Sequence, residues 1–305
     1  MSQKEFELLE KYIKPRSKSD ETLLLGIGDD AAVVAGDSGV VYSYTTDATI
    51  EGVHFSRDYF SIADIARKVV AVNFSDLAAM GSTPKYLLSS IISPKKFDVA
   101  KLIDAISEEV SQYGAELIGG NLSQGVVLAI TATAIGTSPA RSTILLRSAA
   151  KAGDLLYVTG PLGASSAGLR SFLSTGIKDA TMEMAHLSPK ARIAEGICLR
   201  ESGVKCAIDI SDGLVGDLGH IARRSGVHIV IDKPPVCEGA SLDDCLYGGE
   251  DYELIFSAPP SLDVIEIFRG NALEAPICFG HVESGAPKVT AKDFDLDKSG
   301  FEHTF

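Results

Sequence analysis

The segment Val40-Val41-Tyr42-Ser43-Tyr44-Thr45-Thr46-Asp47 constrains the fold most. Its β-branched and aromatic residues predict a strand over 40–44. That strand is expected to stop in two hydroxyls and a carboxylate, with Glu51 and His54 close behind. Apolar strands ending in clustered oxygen groups are where α/β and α+β enzymes place their chemistry. Read alone, Asp47 is equally a turn cap. Related endings recur, however. Leu23-Leu24-Leu25 runs into Gly26-Ile27-Gly28-Asp29-Asp30, and a strand expected over 205–210 runs into Ser211-Asp212-Gly213 after Asp209. A further acid-loaded glycine turn, Gly248-Gly249-Glu250-Asp251, precedes a strand over 254–257.

Between these strands the period changes. Ser61 with Asp64 makes a capping-box start, Gly81 a helix stop, and Pro84 follows. The apolar stripe Ile62, Ile65, Val69, Val72 continues onto Asp76, which turns that carboxylate toward the packed side. A buried carboxylate needs a cation, a donor network or a metal. A second helix starts at Asp98, carries Val99, Leu102, Ile106 and Val110, and ends at Gly114. Strands are expected over 86–92 and 126–135, and a short one over 116–118 that breaks into Gly119-Gly120-Asn121. The N-terminal half therefore reads as α+β, a mostly antiparallel sheet with two long helices on one face. The texture shifts over 136–153, which puts a domain boundary near Arg147: 1–147 and 148–305.

Several motifs invite chemistry and fail in context. Gly26 to Ala31 superficially matches a dinucleotide fingerprint, but no amphipathic helix follows, so a solvated turn is the competing reading. The loop Gly160 to Ser166 leads into a helix and resembles a phosphate cradle, yet lacks the Lys-Ser/Thr ending of a Walker loop and is expected to be structural. An N-cap is the plain reading of Asp209 or Asp212, although two acids and a serine exceed what a cap needs. His186, His220, His228 and His281 are scattered and read as packing or surface residues, and no nucleophile-elbow motif is present.

Charge narrows the ligand. A formal net charge of −13 disfavours a nucleic-acid partner. Two like charges about 4 Å apart repel by about 4 kcal/mol at an effective dielectric near 20. An acid cluster therefore holds a polyphosphate only with divalent cations between them. The five cysteines show no metal or disulfide spacing, the segment 1–14 reads as an amphipathic helix rather than a leader, and no apolar run is long enough to span a membrane. A cytoplasmic protein is expected.

Seven motifs in order resemble the thiamine-monophosphate kinase family: Gly26 to Asp30, Thr45 to Asp47, Glu51 to Phe55, Asn73 to Gly81, Leu146 to Ser148, Ile208 to Leu214 and Gly248 to Leu254. The wider superfamily comprises ATP-using enzymes such as aminoimidazole ribonucleotide synthetase, selenophosphate synthetase and a hydrogenase-maturation ATPase. The resemblance implies two domains, an N-terminal sheet-and-helix domain that forms a homodimer through its strands and a C-terminal α/β domain, with ATP and several Mg²⁺ ions bound between them. It implies metal ligation by Asp30, Thr45, Thr46, Asp47, Asp76, Asp209 and Asp212, and nucleotide contacts from Gly120, Arg147 and Ser211. His54, Glu250 and Phe301 would face thiamine monophosphate. The family usually carries aspartate where this chain has Asn121, whose amide offers a metal or nucleotide an oxygen without charge. The implied reaction is transfer of the γ-phosphoryl group of ATP to the phosphate of thiamine monophosphate. The alternatives are another ATP-using enzyme of the superfamily and a non-catalytic nucleotide-binding scaffold. No cysteine precedes Cys198 and the chain ends Glu302-His303-Thr304-Phe305, which disfavours the selenophosphate and maturation readings.

Overall fold

The computed structural model describes residues 21–174 and 178–296, together with Leu8 and Lys11. Apart from those two, the helix expected over 1–14 lies outside the described residues, as do the C-terminal tail and Phe301.

The N-terminal half is a six-stranded sheet built from β1 (Leu23–Leu25), β2 (Ala32–Ala35), β3 (Val41–Ile50), β4 (Thr83–Ser93), β5 (Glu116–Gln124) and β6 (Ala129–Ser138). The strand order is β1-β2-β3-β6-β4-β5, antiparallel except for the β4–β5 pair. Two helices, α1 (Ile62–Ala79) and α2 (Val99–Gln112), cover one face and bury Leu87, Ile91 and Ile130 beneath Val69, Phe74 and Ile106. The other face leaves Tyr44, Tyr86 and Ile118 exposed.

Local sequence explains α1 well. Ser61 and Asp64 form a reciprocal capping box, and the chain leaves the helix through Gly81 at φ +64, a conformation that favours glycine. Two strands differ from expectation. β3 does not stop at Tyr44 but runs to Ile50, because all ten residues pair with β6 from Val41↔Ser138 to Ile50↔Ala129. Alternation then puts Thr45 and Asp47 on the helix side and Thr46 on the open side. Likewise β5 continues through Gly119-Gly120-Asn121 because β4 pairs with it, Ser89 opposite Gly120 and Ser90 opposite Asn121.

The C-terminal half holds a second six-stranded sheet: β7 (Leu155–Val158), β8 (Cys206–Asp209), β9 (His228–Ile231), β10 (Leu254–Ala258), β11 (Ile277–Glu283) and β12 (Lys288–Ala291). Its order is β12-β9-β11-β7-β10-β8, antiparallel except for β12–β9. The helices are α3 (Ala164–Leu173), α4 (Ala180–Leu187), α5 (Ile193–Glu201), α6 (Leu214–Ser225), α7 (Leu242–Tyr247) and α8 (Val264–Gly270). Strand β10 and the edge strand β8 are both buried along their whole length. One face packs on Leu214, Leu218 and Ile221 of α6, the other on α5 and α8. Both halves are layered sheets and helices of the α+β kind.

α1 belongs to both cores. Its N-terminal turns pack under the first sheet, while Ala78 and Ala79 join the cluster formed by Leu199, Ala207 and Phe256. The approach to α5 is close: a Cβ on Gly196 would lie 2.1 Å from the Ala78 carbonyl oxygen. No helix among the described residues is long and apolar enough to cross a membrane.

Candidate active site

Three acids from distant parts of the chain meet where the halves join. Asp30 lies between β1 and β2, Asp76 in the last turn of α1, and Asp209 at the end of β8. One carboxylate oxygen from each lies within 4.8 Å of the others. The Thr45 hydroxyl donates to Asp76, and the Ser75 hydroxyl donates to Asp209 Oδ2 at 2.6 Å. Arg147 donates to Asp30 Oδ1 at 2.5 Å, while its main-chain N–H donates to Asp29 Oδ1 at 3.0 Å. The second oxygen of Asp30 is buried with no hydrogen-bond partner.

Crowding shows in the acidities. Burial, then the charges of Asp209, Asp47 and Asp30, push Asp76 well above the usual carboxylate range. Burial and Asp30 push Asp209 up to about 8, and burial and Asp30 push Asp29 up to about 7. Burial works against the charge of Arg147, yet Asp30, Asp209 and Asp29 together hold its guanidinium above its ordinary range. The turn at 26–30 is thus an acid pair held on Arg147, Asp30 buried against its guanidinium and Asp29 half-buried on its main-chain N–H, and not a solvated turn.

A cleft of about 410 Å³ opens beside the cluster. Asp47, Asp76, Asp209, Ser211 and Asp212 line it, and so do His54 and Glu250. The segment carrying Ser211 and Asp212 is held from below. Both main-chain N–H groups donate to Asp217 Oδ2, each at 3.2 Å, so α6 begins at Gly213 without a side-chain cap. Asp209 and Asp212 are therefore not caps. The loop before α3 is closed to phosphate by the protein itself. The Gly163 and Ser165 N–H groups donate to the Asp251 carboxylate at 2.7 and 3.1 Å, and burial pushes that acid up to about 7.

Two lining residues were not picked out from the sequence. Lys68 of α1 is buried and donates to the His54 carbonyl oxygen at 2.6 Å and to Glu250 Oε1 at 2.7 Å. Burial lowers its pKa and Glu250 partly restores it. His186 of α4 sits 3.1 Å from the Ser165 hydroxyl, and burial, helped by Lys68, lowers its pKa to about 4, so it is neutral. Lys68 stands three residues beyond Ile65 and four before Val72, on the same stripe that points to Asp76. That signal was available.

The structure brings together Asp30, Thr45, Asp47, Asp76, Asp209, Ser211 and Asp212, with Arg147 behind Asp30 and with His54 and Glu250 along the cleft. Within one chain it does not bring in Thr46, Gly120 or Asn121. The Thr46 hydroxyl donates to the Ala132 carbonyl at 2.9 Å and receives Thr133 at 3.1 Å, on the open face. Gly120 and Asn121 lie on edge strand β5, three strands from β3 and so roughly 14 Å away. Phe301 lies outside the described residues.

Residues 28–138 match the N-terminal domain of AIR synthase related proteins, and residues 151–290 match the corresponding C-terminal domain. The thiamine-monophosphate kinase of Buchnera aphidicola (subspecies Acyrthosiphon pisum) is 36% identical over 327 residues, covering 99% of each chain. The chain belongs to the thiamine-monophosphate kinase family. A solved structure of AaThiL complexed with AMPPCP and TMP superposes with a TM-score of 0.85 at 31% identity, covering 98% of this chain and 97% of that one. Hydrogenase maturation protein HypE in complex with ATP shares the fold, with a TM-score of 0.67 at 19% identity and coverage of 93% and 90%. Thiamine-monophosphate kinase relatives thus match along the whole length in which the acids are dispersed.

Proposed function

We propose that the chain phosphorylates thiamine monophosphate to thiamine diphosphate at the expense of ATP. The observation that carries this reading is the convergence of Asp30, Asp76 and Asp209, from both halves of a chain of this family, on one cleft. The acids fit Mg²⁺: the donors are all hard oxygens, and the buried Asp30 Oδ2 lacks any other partner. Asp30, Asp76 and Asp209, with Asp47, Asp212 and Thr45 around them, would hold the ions. When bound, Mg²⁺ supplies the positive charge that lets phosphate groups approach these carboxylates.

The chain's own residues do the rest by placement. The acceptor is a phosphate with a second pKa near 6, so at pH 7 it is mostly dianionic and needs no general base. What the site must supply is in-line alignment and charge neutralisation. Arg147 fixes Asp30, Asp217 fixes the Ser211–Asp212 segment, and Thr45 and Ser75 orient Asp76 and Asp209. Ser211 and Arg147 would serve the nucleotide, and His54 and Glu250, with Phe301, the thiamine end.

We further propose a division at Arg147, a homodimer through the open face of the first sheet, where Tyr44, Tyr86 and Ile118 are exposed, and a cytoplasmic, reducing setting consistent with five free cysteines. ADP release by purified protein, with and without thiamine monophosphate, tests the reaction. Stimulation by that compound is expected. Binding of ATP without turnover would mark a nucleotide-binding scaffold instead, and turnover indifferent to thiamine monophosphate another ATP-using enzyme.

A further inference from the structure

Lys68 is the only lysine or arginine among the described residues lining the cleft, and its side chain is 1% exposed. An ammonium buried this deeply is costly unless paired. Its partners are the two walls of one end of the cleft. The His54 carbonyl belongs to the loop after β3, and Glu250 to the glycine turn before β10. The Phe60 ring lies 5.4 Å from the ammonium on another side. Along α1, Lys68 is eight residues before Asp76, so the ammonium's helix position and the acid cluster are about 12 Å apart.

Glu250 is itself held in an unusual way. Its φ is +65 and that of Tyr252 is +51, left-handed conformations for two residues that are not glycine. Such conformations persist where the surroundings over-determine them, and they concentrate at functional sites. Here the Glu250 N–H donates to the Ser211 carbonyl at 3.0 Å and the Tyr252 N–H to the Ile210 carbonyl at 2.9 Å, which ties the turn to the acid-bearing segment. The second carboxylate oxygen of Glu250 lies 3.8 Å from His186 Nδ1, and 26% of the side chain remains open.

We propose that Lys68 is the positioning residue of the acceptor end of the cleft: it holds Glu250 aimed at the organic, cationic part of the acceptor, and pins the His54 loop opposite. The inference rests on the functional reading above and adds a residue that acts through Glu250. It separates two stretches of one helix by task, Asp76 in the last turn for phosphate charge and Lys68, eight residues earlier, for the acceptor's ring.

The test is steady-state kinetics of wild type, Lys68→Met, Glu250→Gln and the double variant, varying ATP and thiamine monophosphate separately. Lys68→Met is expected to raise KM for thiamine monophosphate by roughly ten- to a hundredfold, the range of a charge-assisted contact, with KM for ATP changed by no more than about twofold. In the Glu250→Gln background the same change is expected to add no more than about twofold, because the group it positions is already gone. If both KM values rise together, if the two single effects multiply in the double variant, or if KM for thiamine monophosphate is unmoved, the inference is wrong. Should Lys68→Met fail to fold with an unpaired Glu250, the double variant, which removes both charges, is compared with Glu250→Gln alone. Equal KM supports positioning and a tenfold difference overturns it. Wild-type protein without acceptor-dependent ADP release would instead defeat the functional reading on which this one stands.

Discussion

Replacing Asp76 by Asn should make the metal-free protein more stable while removing its response to Mg²⁺. The carboxylate oxygens of Asp30, Asp76 and Asp209 lie within 4.8 Å of one another. At that separation and an effective dielectric near 20, each ionised neighbour costs Asp76 about 3.5 kcal/mol. Asparagine removes that cost and still accepts the Thr45 hydroxyl. The gain depends on pH, and its sign follows from the raised pKa values. Asp209 moves from an ordinary 3.8 to about 8 on folding, and Asp29 from 3.8 to about 7. Groups with raised folded pKa favour the native state fully below about 4, and that contribution is lost as pH climbs toward 8. His186 and His220 pull the other way, having fallen from 6.5 to about 4 and about 3, but their effect is complete by about pH 6.5. Between pH 6.5 and 8 the acids alone set the slope, and metal-free wild type should lose stability across it. At pH 8 in chelator, Asp76→Asn should melt higher by on the order of 5 °C, since about 1 kcal/mol is worth about 2 °C in a chain of this length. Saturating Mg²⁺, at about a hundred times its dissociation constant, should stabilise wild type by about 2.7 kcal/mol and the variant by far less. Thermal unfolding at pH 6.5 and 8, with and without Mg²⁺, reads all of this. A variant no more stable than wild type in chelator at pH 8, or one that gains equally from Mg²⁺, refutes the shared-cation account.

Other changes follow from the same contacts. Arg147→Met strands the buried Asp30 carboxylate and should cost roughly 3–5 kcal/mol in urea unfolding without metal. Asp217→Ala frees the Ser211 and Asp212 N–H groups, and should lower kcat sharply while the protein still folds; an unchanged kcat would remove Asp217 from the account. Ser61→Ala breaks the capping box of α1 and should cost about 1 kcal/mol with no change in KM for either substrate.

Some of the site was legible because the information is local. Ser61, Asp64 and Gly81 bound α1 through contacts made within a few residues, and helical spacing carried the stripe from Val72 to Asp76. The extension of β3 through Thr45–Asp47 was not legible, since its partner β6 begins 79 residues beyond the strand's end, at Ala129 after Ile50, and only that ladder makes polar residues strand. For the same reason Gly119-Gly120 resembled a break when β4 holds it as sheet. The phosphate-cradle loop before α3 was ambiguous until Asp251, from 86 residues downstream of Ser165, filled it. Lys68 lay on a stripe already in use, but a lysine there resembles an ordinary surface charge until Glu250 appears beside it.

Because α1 is wrapped by sheet and helices from both halves, severing the chain between the two sheets would not release two autonomous folding units. The N-terminal fragment would carry a helix whose Ala78–Ala79 end is stripped to water, and the C-terminal fragment would expose the Leu199, Ala207 and Phe256 surface that end had covered. Expressed separately, the pieces should aggregate or stay unfolded, and mixing them before folding should recover more soluble protein than mixing them afterwards.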